Sequence, residues 1–431
     1  MNPLYRNDRP GTYPASWYVD TSDIPAERPA LRGERKADVA IVGAGFTGLT
    51  AALVLAEKGF DVIVLDAHRV GFGASGRNGG QCGSGFNMDL DELEATLGED
   101  TTRHLWNLSM EAKAQVRDLV AKHAPEARWT PGVADGVWTK KEAAENKAYY
   151  EKLCATYEYD ALTWLDGDDF REIVKSPVYK GGALDMDAGH IHPLRYCLGL
   201  ARAAEAAGVT IHERSDVHHI ADGLVQTGQG RVVAKHIILA GNGYLPNLNR
   251  RYAARVSPIN SFIGATEPLG EKAHDILARD IAVADSKFVV NYFRLSEDNR
   301  LLFGGRENYG IGFPKDIQTR LHSRMTHLFP QLRGVPFTHV WGGTLGITMT
   351  RVPYVARLGP TTLAAGGFSG HGVALTSIAG RCMAEAIAGQ AERFDLLSQL
   401  PTPPFPGGSL FRAPILTLAM TWYATRDKLG L

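Results

Sequence analysis

The segment Val39-Ala40-Ile41-Val42-Gly43-Ala44-Gly45-Phe46-Thr47-Gly48 constrains this chain more than any other. A short apolar, β-rich run leads into G-x-G-x-x-G, and that motif opens a helical pattern carried by Leu49, Ala52, Leu53, Leu55 and Ala56. The pattern stops at Lys58 and Gly59, and a second apolar run, Val62–Leu65, ends on Asp66. These parts in this order predict a strand–helix–strand unit that binds a dinucleotide. Gly43 permits the tight turn, Gly45 lets the backbone approach a pyrophosphate, and Gly48 allows close helix–strand packing. The helix N-terminus offers unpaired N–H groups and partial positive charge to the phosphates. Asp66 stands where a carboxylate accepts from ribose hydroxyls.

At 431 residues the chain exceeds what one core normally fills, so two domains are expected. Its net charge of −1 supplies no field for nucleic acid or an anionic membrane surface. Cys82, Cys154, Cys197 and Cys382 are scattered without C-x-x-C or zinc spacing, which suits reduced thiols in a cytoplasmic protein. The opening MNPLYRNDRPGTYPASWY is polar and proline-rich, unlike a signal peptide. No apolar run is long enough to span a bilayer. The stretch 413–424 contains Pro414 and several Thr and reads as a packed C-terminal helix, with a membrane-surface role as the alternative.

Helical patterns are expected over 91–97 and 101–123, and a strand over 133–139. An α/β signature returns with a helix over 192–207 and strands over 209–213, 231–233 and 236–240. Residues 255–350 carry β-rich segments such as 288–294 and 300–305, interrupted by a helix over 317–329. A strand at 363–365, the turn Gly366-Gly367-Phe368-Ser369-Gly370-His371-Gly372 and a small-residue helix over 373–388 close the pattern. There is no internal repeat and no low-complexity tract. Segments of α/β type thus occur at the start, middle and end, separated by two insertions. The expected fold is α/β, with an arm (1–35), a discontinuous Rossmann-like dinucleotide domain (36–88, 185–250 and 352–400), an interleaved β-rich α+β substrate domain (89–184 and 251–351) and a tail (401–431).

A nicotinamide dehydrogenase needs one such fingerprint and a catalytic domain. This chain adds the glycine-rich stretch Gly71-Phe72-Gly73-Ala74-Ser75-Gly76-Arg77-Asn78-Gly79-Gly80-Gln81 directly after the ribose acid, and another at 366–372. FAD is longer than NAD, and its ring must be held along its length. Small residues at 71–80 let backbone amides reach the ribityl chain, and the helix opening at Val373 aims its dipole at charge developing on a reduced flavin. Neither loop carries G-K-[ST], which excludes a nucleotide-hydrolysing P-loop. Gly367-Phe368-Ser369-Gly370 lacks the G-x-S-x-G spacing of a hydrolase nucleophile.

These residues together resemble the FAD-dependent amine and amino-acid oxidases of the D-amino-acid oxidase/glycine oxidase superfamily, and within it the enzymes that oxidise gamma-glutamylated putrescine. The likeness spans nearly the whole chain, through RVGFGASGRNGGQ (69–81), AGHIHPLR (188–195), AGNGYL (240–245), NYFRLSEDNRLLFGGR (291–306), GFSGHGV (367–373) and AERFDLLSQLPTPPFPGG (391–408). It implies FAD contacts at Gly43, Ala44, Gly45, Thr47, Gly48 and Asp66, at Ala74, Ser75, Arg77, Asn78, Gly79 and Gln81, at Val217 on the adenine side, and at Gly370, His371, Gly372 and Val373 along the ring edge. Some relatives carry a His in the 75–80 loop that bonds covalently to flavin; Ser-Gly-Arg-Asn here implies noncovalent FAD.

Amine oxidation by flavin removes a hydride equivalent from the carbon beside nitrogen, leaving an imine that water hydrolyses. The protein presents the amine unprotonated, aligns its C–H and excludes water. No second strand–G-x-G-x-x-G–helix unit exists for a nicotinamide partner, so oxygen is the expected acceptor, with a quinone or electron carrier as the alternative. Substrate-side candidates are His371 in the cofactor loop, Tyr292 and Arg294 two apart on one expected strand, Arg306 and Trp341. An Arg can bind the carboxylate of a gamma-glutamyl head by a two-point contact, and an aromatic ring can wall its tetramethylene chain. The pairs His190/His192 and His218/His219 lack a third ligand, and no metal is expected. The expected activity is oxidation of a primary amine with release of ammonia and hydrogen peroxide. The alternatives are an oxidase of a secondary amine or amino acid (glycine, sarcosine or pipecolate type), and a flavin-binding subunit without turnover.

Overall fold

Gly33–Val42 runs through the middle of a first sheet, parallel to Gly230–Leu239 on one side and Val62–Leu65 on the other. This computed structural model describes residues 3–245, 248–308 and 312–408, without the side chains of residues 3 and 306–308. The expected helix over 413–424 lies outside the described residues. Thr362–Gly366 adds a further parallel strand, Tyr354–Arg357 an antiparallel edge, and Thr210–His212 the opposite edge. The central strands are buried on both faces, which is why they read as unbroken Val/Ile/Leu runs rather than alternating ones. The expected strands 231–233 and 236–240 are one strand, because Ala234 and its neighbours stay paired with the long strand Gly33–Val42. The hairpin Val217–Ala221/Leu224–Thr227 attaches to its first half.

Three helices, Phe46–Glu57, Pro193–Ala206 and Val373–Ile387, pack together on this sheet. Their small residues have a cause. A Cβ at Gly380 would run into the Thr47 carbonyl, so the first and last of these helices cross backbone to backbone. Glu99–His123 lies over Pro193–Ala206 and Val373–Ile387 and buries Leu105, Trp106 and Val116 in the same core. This helix, expected in the substrate domain, therefore packs on the dinucleotide layer.

The second sheet runs Phe337–Ile347, Ser257–Thr266, Leu301–Asn308, Tyr292–Leu295, Ala282–Asp285, Thr130–Val137 and Gly181–His190, with Gln81–Cys82 and Leu162–Asp166 on the far edge. One face buries Phe262, Phe293, Phe303, Leu321, Met325 and Phe329 in a separate core. Two expected boundaries move. Residue 185 falls inside Gly181–His190, and Gln81–Cys82 pairs with that same strand, so both belong to the second sheet by hydrogen bonding. The expected strand over 288–294 shrinks to Tyr292–Leu295. The Asp285 carboxylate accepts from the amides of Lys287 and Asn291 and folds the intervening residues into a loop.

No helix among the described residues is long and apolar enough to cross a membrane. All four cysteines are free.

Candidate active site

The carboxyl ends of the parallel strands open onto one elongated cavity of about 1090 Å³, continuing between the two sheets. Its first wall is the turn after Gly33–Val42. Gly43 sits at φ 112° with its Cβ direction 2.8 Å from the Ala240 carbonyl oxygen, and at Gly45 a Cβ would meet Ser75 Oγ at 2.7 Å. A Cβ at Gly48 would strike the Gly43 carbonyl. Side chains are thereby disfavoured at all three positions, and the helix Phe46–Glu57 starts at Gly45, which has no side chain to cap it. Asp66 crosses beneath this turn: Oδ2 accepts from Ala44 N at 2.8 Å and Oδ1 from His68 N at 2.8 Å. Burial pushes its carboxyl up to about 6 against those two donors.

The second wall is the 71–81 stretch. Ser75 Oγ accepts from Phe46 N at 3.1 Å, tying this loop to the first turn. Asn78 closes the loop on itself, donating to the Ala74 and Ser75 carbonyls and accepting from Gly80 N. Gln81 Nε2 donates to Val283 O on the second sheet at 2.9 Å. Gly79 is glycine for a visible reason: the Tyr292 ring stands 3.0 Å from where its Cβ would be.

The third wall is the 366–372 turn, with Ser369 at φ 52° and Gly370 at φ 88°. Asn242, itself left-handed at φ 47°, accepts from Gly367 N at 2.9 Å and fixes this turn against the end of Gly230–Leu239. The helix Val373–Ile387 again begins at a glycine with no side-chain cap. His371 lines the cavity; burial lowers its pKa, and its buried Nε2 has no hydrogen-bond partner among the described residues. The arm closes the outer end: Leu4 lines the cavity, its carbonyl lies 2.8 Å from His68 Nε2, and Tyr5 donates to Asp216.

Of the expected cofactor residues, Gly43, Ala44, Gly45, Thr47, Asp66, Ala74, Ser75, Arg77, Asn78, Gly79, Gln81, Val217, Gly370, His371, Gly372 and Val373 all line this one cavity. Gly48 does not; it lies behind the turn. Two helix N-termini that begin at glycines, close-packed glycine turns and a long concave path fit FAD. Arg77 is mostly occupied by the protein, donating to the carbonyls of Phe72 and Gly342 and pairing with Asp8 at 3.0 Å, although its buried Nη2 has no partner among the described residues.

The substrate-side expectations divide. His371 and Tyr292 line the cavity, with the Tyr292 hydroxyl 3.3 Å from Ser261 Oγ. Arg294 and Trp341 are corrected, since both are buried away from it. Arg294 passes under the glycine loop and donates to Gly79 O, Ile191 O and Leu295 O, all near 3 Å. Trp341 donates to Arg77 O at 3.0 Å and packs edge-on against Tyr18. Both brace the 71–81 loop from beneath. Arg306 lies opposite Phe262 in the second sheet, and its side chain is outside the described residues. No group of His, Cys, Asp or Glu among the described residues is arranged to hold a metal.

Beyond His371 the cavity continues into a chamber of about 690 Å³. Alternate residues of one strand, Val133, Asp135 and Val137, line it, as do Trp106, Tyr149 and Tyr150. Arg351 and Phe288 line it as well. Sequence reasoning passed over all of these. Asp135 and Arg351 lie more than 200 residues apart, and neither belongs to a motif. Only Asn242 carried a signal, within AGNGYL.

Comparison with known proteins agrees with this geometry. A family model described as FAD dependent oxidoreductase (DAO) matches residues 38–386. The chain is 40% identical over 417 residues to a probable oxidoreductase OrdL of Rhizobium meliloti, covering 96% of this chain and 97% of that protein. It is 37% identical over 425 residues to the gamma-glutamylputrescine oxidoreductase of Escherichia coli, covering 97% and 99%. The crystal structure of glycine oxidase from Geobacillus kaustophilus superposes with a TM-score of 0.71 at 21% identity, over 86% of this chain and 100% of that one.

Proposed function

Because the chain belongs to the DAO family of FAD-dependent oxidoreductases, whose members among its relatives act on amine donors, we propose that it oxidises gamma-glutamylputrescine to the aldehyde, releasing ammonia and hydrogen peroxide. The observation that carries this reading is the end-to-end similarity to the Escherichia coli enzyme of that name. The site supports it in kind, with an interior route that passes His371 into an aromatic-walled chamber large enough for more than a simple amine.

FAD, when bound, supplies the acceptor for the hydride leaving the carbon beside nitrogen. The 43–48 turn and Asp66 would hold its pyrophosphate and ribose, the 74–81 loop its ribityl chain, and the 370–373 turn its ring edge, noncovalently. The Gly79–Tyr292 contact would set how closely a substrate approaches that ring. The neutral His371 ring adds no positive charge beside an incoming ammonium group, which keeps entry of a cation favourable. The second sheet roofs the site with Ile259, Ile263 and Leu345, excluding water from the reacting carbon.

The test is anaerobic mixing of the purified yellow protein with amines. Bleaching by gamma-glutamylputrescine, and peroxide on admitting air, is the expected result. Bleaching by glycine, sarcosine or pipecolate alone assigns the amino-acid alternative. Bleaching without peroxide in air moves the acceptor to a quinone or protein carrier.

A further inference from the structure

We propose that the chamber beyond His371 reads the far end of the substrate as a zwitterion, Asp135 binding its ammonium group and Arg351 its carboxylate; this rests on the amine-oxidase reading above. The argument starts from which charges in that region are already used. Asp185 accepts from Ser84, from Tyr159 at 2.6 Å and from two backbone amides. Asp285 accepts from Trp138 Nε1 at 2.9 Å and Asn291 Nδ2 at 2.6 Å, besides its loop amides. Both are structural and offer little to a ligand. Asp135 differs: its carboxylate makes no hydrogen bond or ion pair with any described residue.

Asp135 also differs in where its exposure goes. More than a third of its surface is accessible, yet it sits deep in the molecule, so the space it meets is the chamber itself. Burial, with Asp185 and Asp285 nearby, pushes its carboxyl up to about 7. A carboxylate in that position gains most from a cation, and the rings of Tyr149, Tyr150 and Trp106 on the same chamber suit one too.

Arg351 is the complementary case. It holds φ 63°, in the left-handed region that a side chain of this size rarely enters. Its guanidinium lies 4.5 Å from the centre of the Phe288 ring and pairs with no carboxylate among the described residues. A stacked, unpaired guanidinium is prepared for a two-point contact with a planar anion.

The charge pattern fits the remote end of the substrate better than its reacting end. Hydride loss requires the reacting nitrogen to be neutral, and a carboxylate there would favour the ammonium form instead. A nitrogen that stays charged throughout has no such conflict. The α-amino-acid head of a gamma-glutamyl amide carries one such ammonium and one carboxylate, and Asp135 and Arg351 offer one charge of each opposite sign, with Asp89 and Lys287 also on the chamber's lining.

The experiment is anaerobic titration of the FAD-loaded enzyme and of Asp135→Asn and Arg351→Gln with gamma-glutamylputrescine, its N-acetyl derivative and butylamine. Kd and the limiting rate of flavin reduction are read separately. For gamma-glutamylputrescine each variant raises Kd about 10- to 100-fold with little change in the limiting rate. Butylamine, lacking a second charge, is handled alike by all three proteins. The N-acetyl derivative binds the wild type weakly and loses nothing further in Asp135→Asn. FAD content and melting temperature establish that the variants are folded. Equal losses on both amines, or an effect confined to the reduction rate, overturn the subsite while leaving the reaction standing. A wild-type flavin that gamma-glutamylputrescine leaves yellow overturns the substrate reading, and the subsite with it.

Discussion

Along the ends of the parallel sheet the cavity is walled largely by three turns at 43–48, 71–81 and 366–372, whose glycines at 43, 48 and 79 stand where a Cβ would strike neighbouring backbone or the Tyr292 ring. Along the second sheet the same cavity is walled by side chains, with Tyr292, Ile263, Leu345 and Asp135 drawn from four different strands. The first wall depends on what is missing from each residue and the second on what each residue carries. A backbone wall suits a cofactor of constant shape and tolerates almost no substitution. A side-chain wall permits substrate specificity to change strand by strand.

The sharpest way to break that contrast is at Gly48. A methyl group there collides with the Gly43 carbonyl, which is backbone and has nowhere to go. Gly48→Ala should cost about 3 kcal/mol or more through overpacking and displace the pyrophosphate turn. The expected result is a colourless protein with a lowered melting temperature. Retention of full FAD with unchanged stability would mean that the turn has slack, and the backbone wall would be less strict than its geometry says.

The contrast also governs what sequence made legible. Gly43, Gly45, Gly48 and Asp66 are close in the chain and carry a spacing, so one short segment declares both the fold and its ligand. The 71–81 and 366–372 loops are legible for the same reason, since glycine where a helix or strand is about to start has few other uses. The second sheet offers no such economy. Its nine strands are scattered between residues 81 and 347, and their order depends on crossovers that no local pattern encodes. Tyr292 and Arg294, two apart on one strand, were expected to serve one ligand together. Side-chain length separated them, because the Tyr292 ring stops against Gly79 and Gly304 while the guanidinium of Arg294 reaches beneath the loop. Asp135 was silent in the sequence because an isolated aspartate in a strand announces nothing until its neighbours prove to be paired.

Arg294 sharpens the comparison from the other side, as a side chain of the second sheet that serves the backbone wall. It supplies the buried carbonyls of Gly79 and Ile191 with their hydrogen bonds. Arg294→Met keeps the bulk and strands those acceptors, at about 1–3 kcal/mol for each left unsatisfied. Stability and FAD retention should fall together, while the ranking of amines by the flavin that remains stays as in the wild type. A change in that ranking would return Arg294 to the substrate side.

The smallest effect is in pH. Asp66 is the one ionisable side chain in the backbone wall's first turn, and burial holds its carboxyl at about 6 without FAD. Ribose hydroxyls donating to it favour the ionised form, so bound FAD lowers that pKa. By linkage the extra affinity is fully present above about pH 6 and is lost as pH falls through it, by up to about tenfold per unit until the lowered value is reached. Fluorescence titration of the apoprotein with FAD between pH 4.5 and 8 reads this slope directly. Asp66→Asn, which cannot ionise, should flatten it and bind with the same affinity across the range. A slope that survives the substitution would belong to another group, with His68, whose own pKa is lowered by burial, the first to test. The charge at the end of Val62–Leu65 would then be structural, engaged wholly by the amides of Ala44 and His68, and the first turn would recognise its ligand through backbone alone.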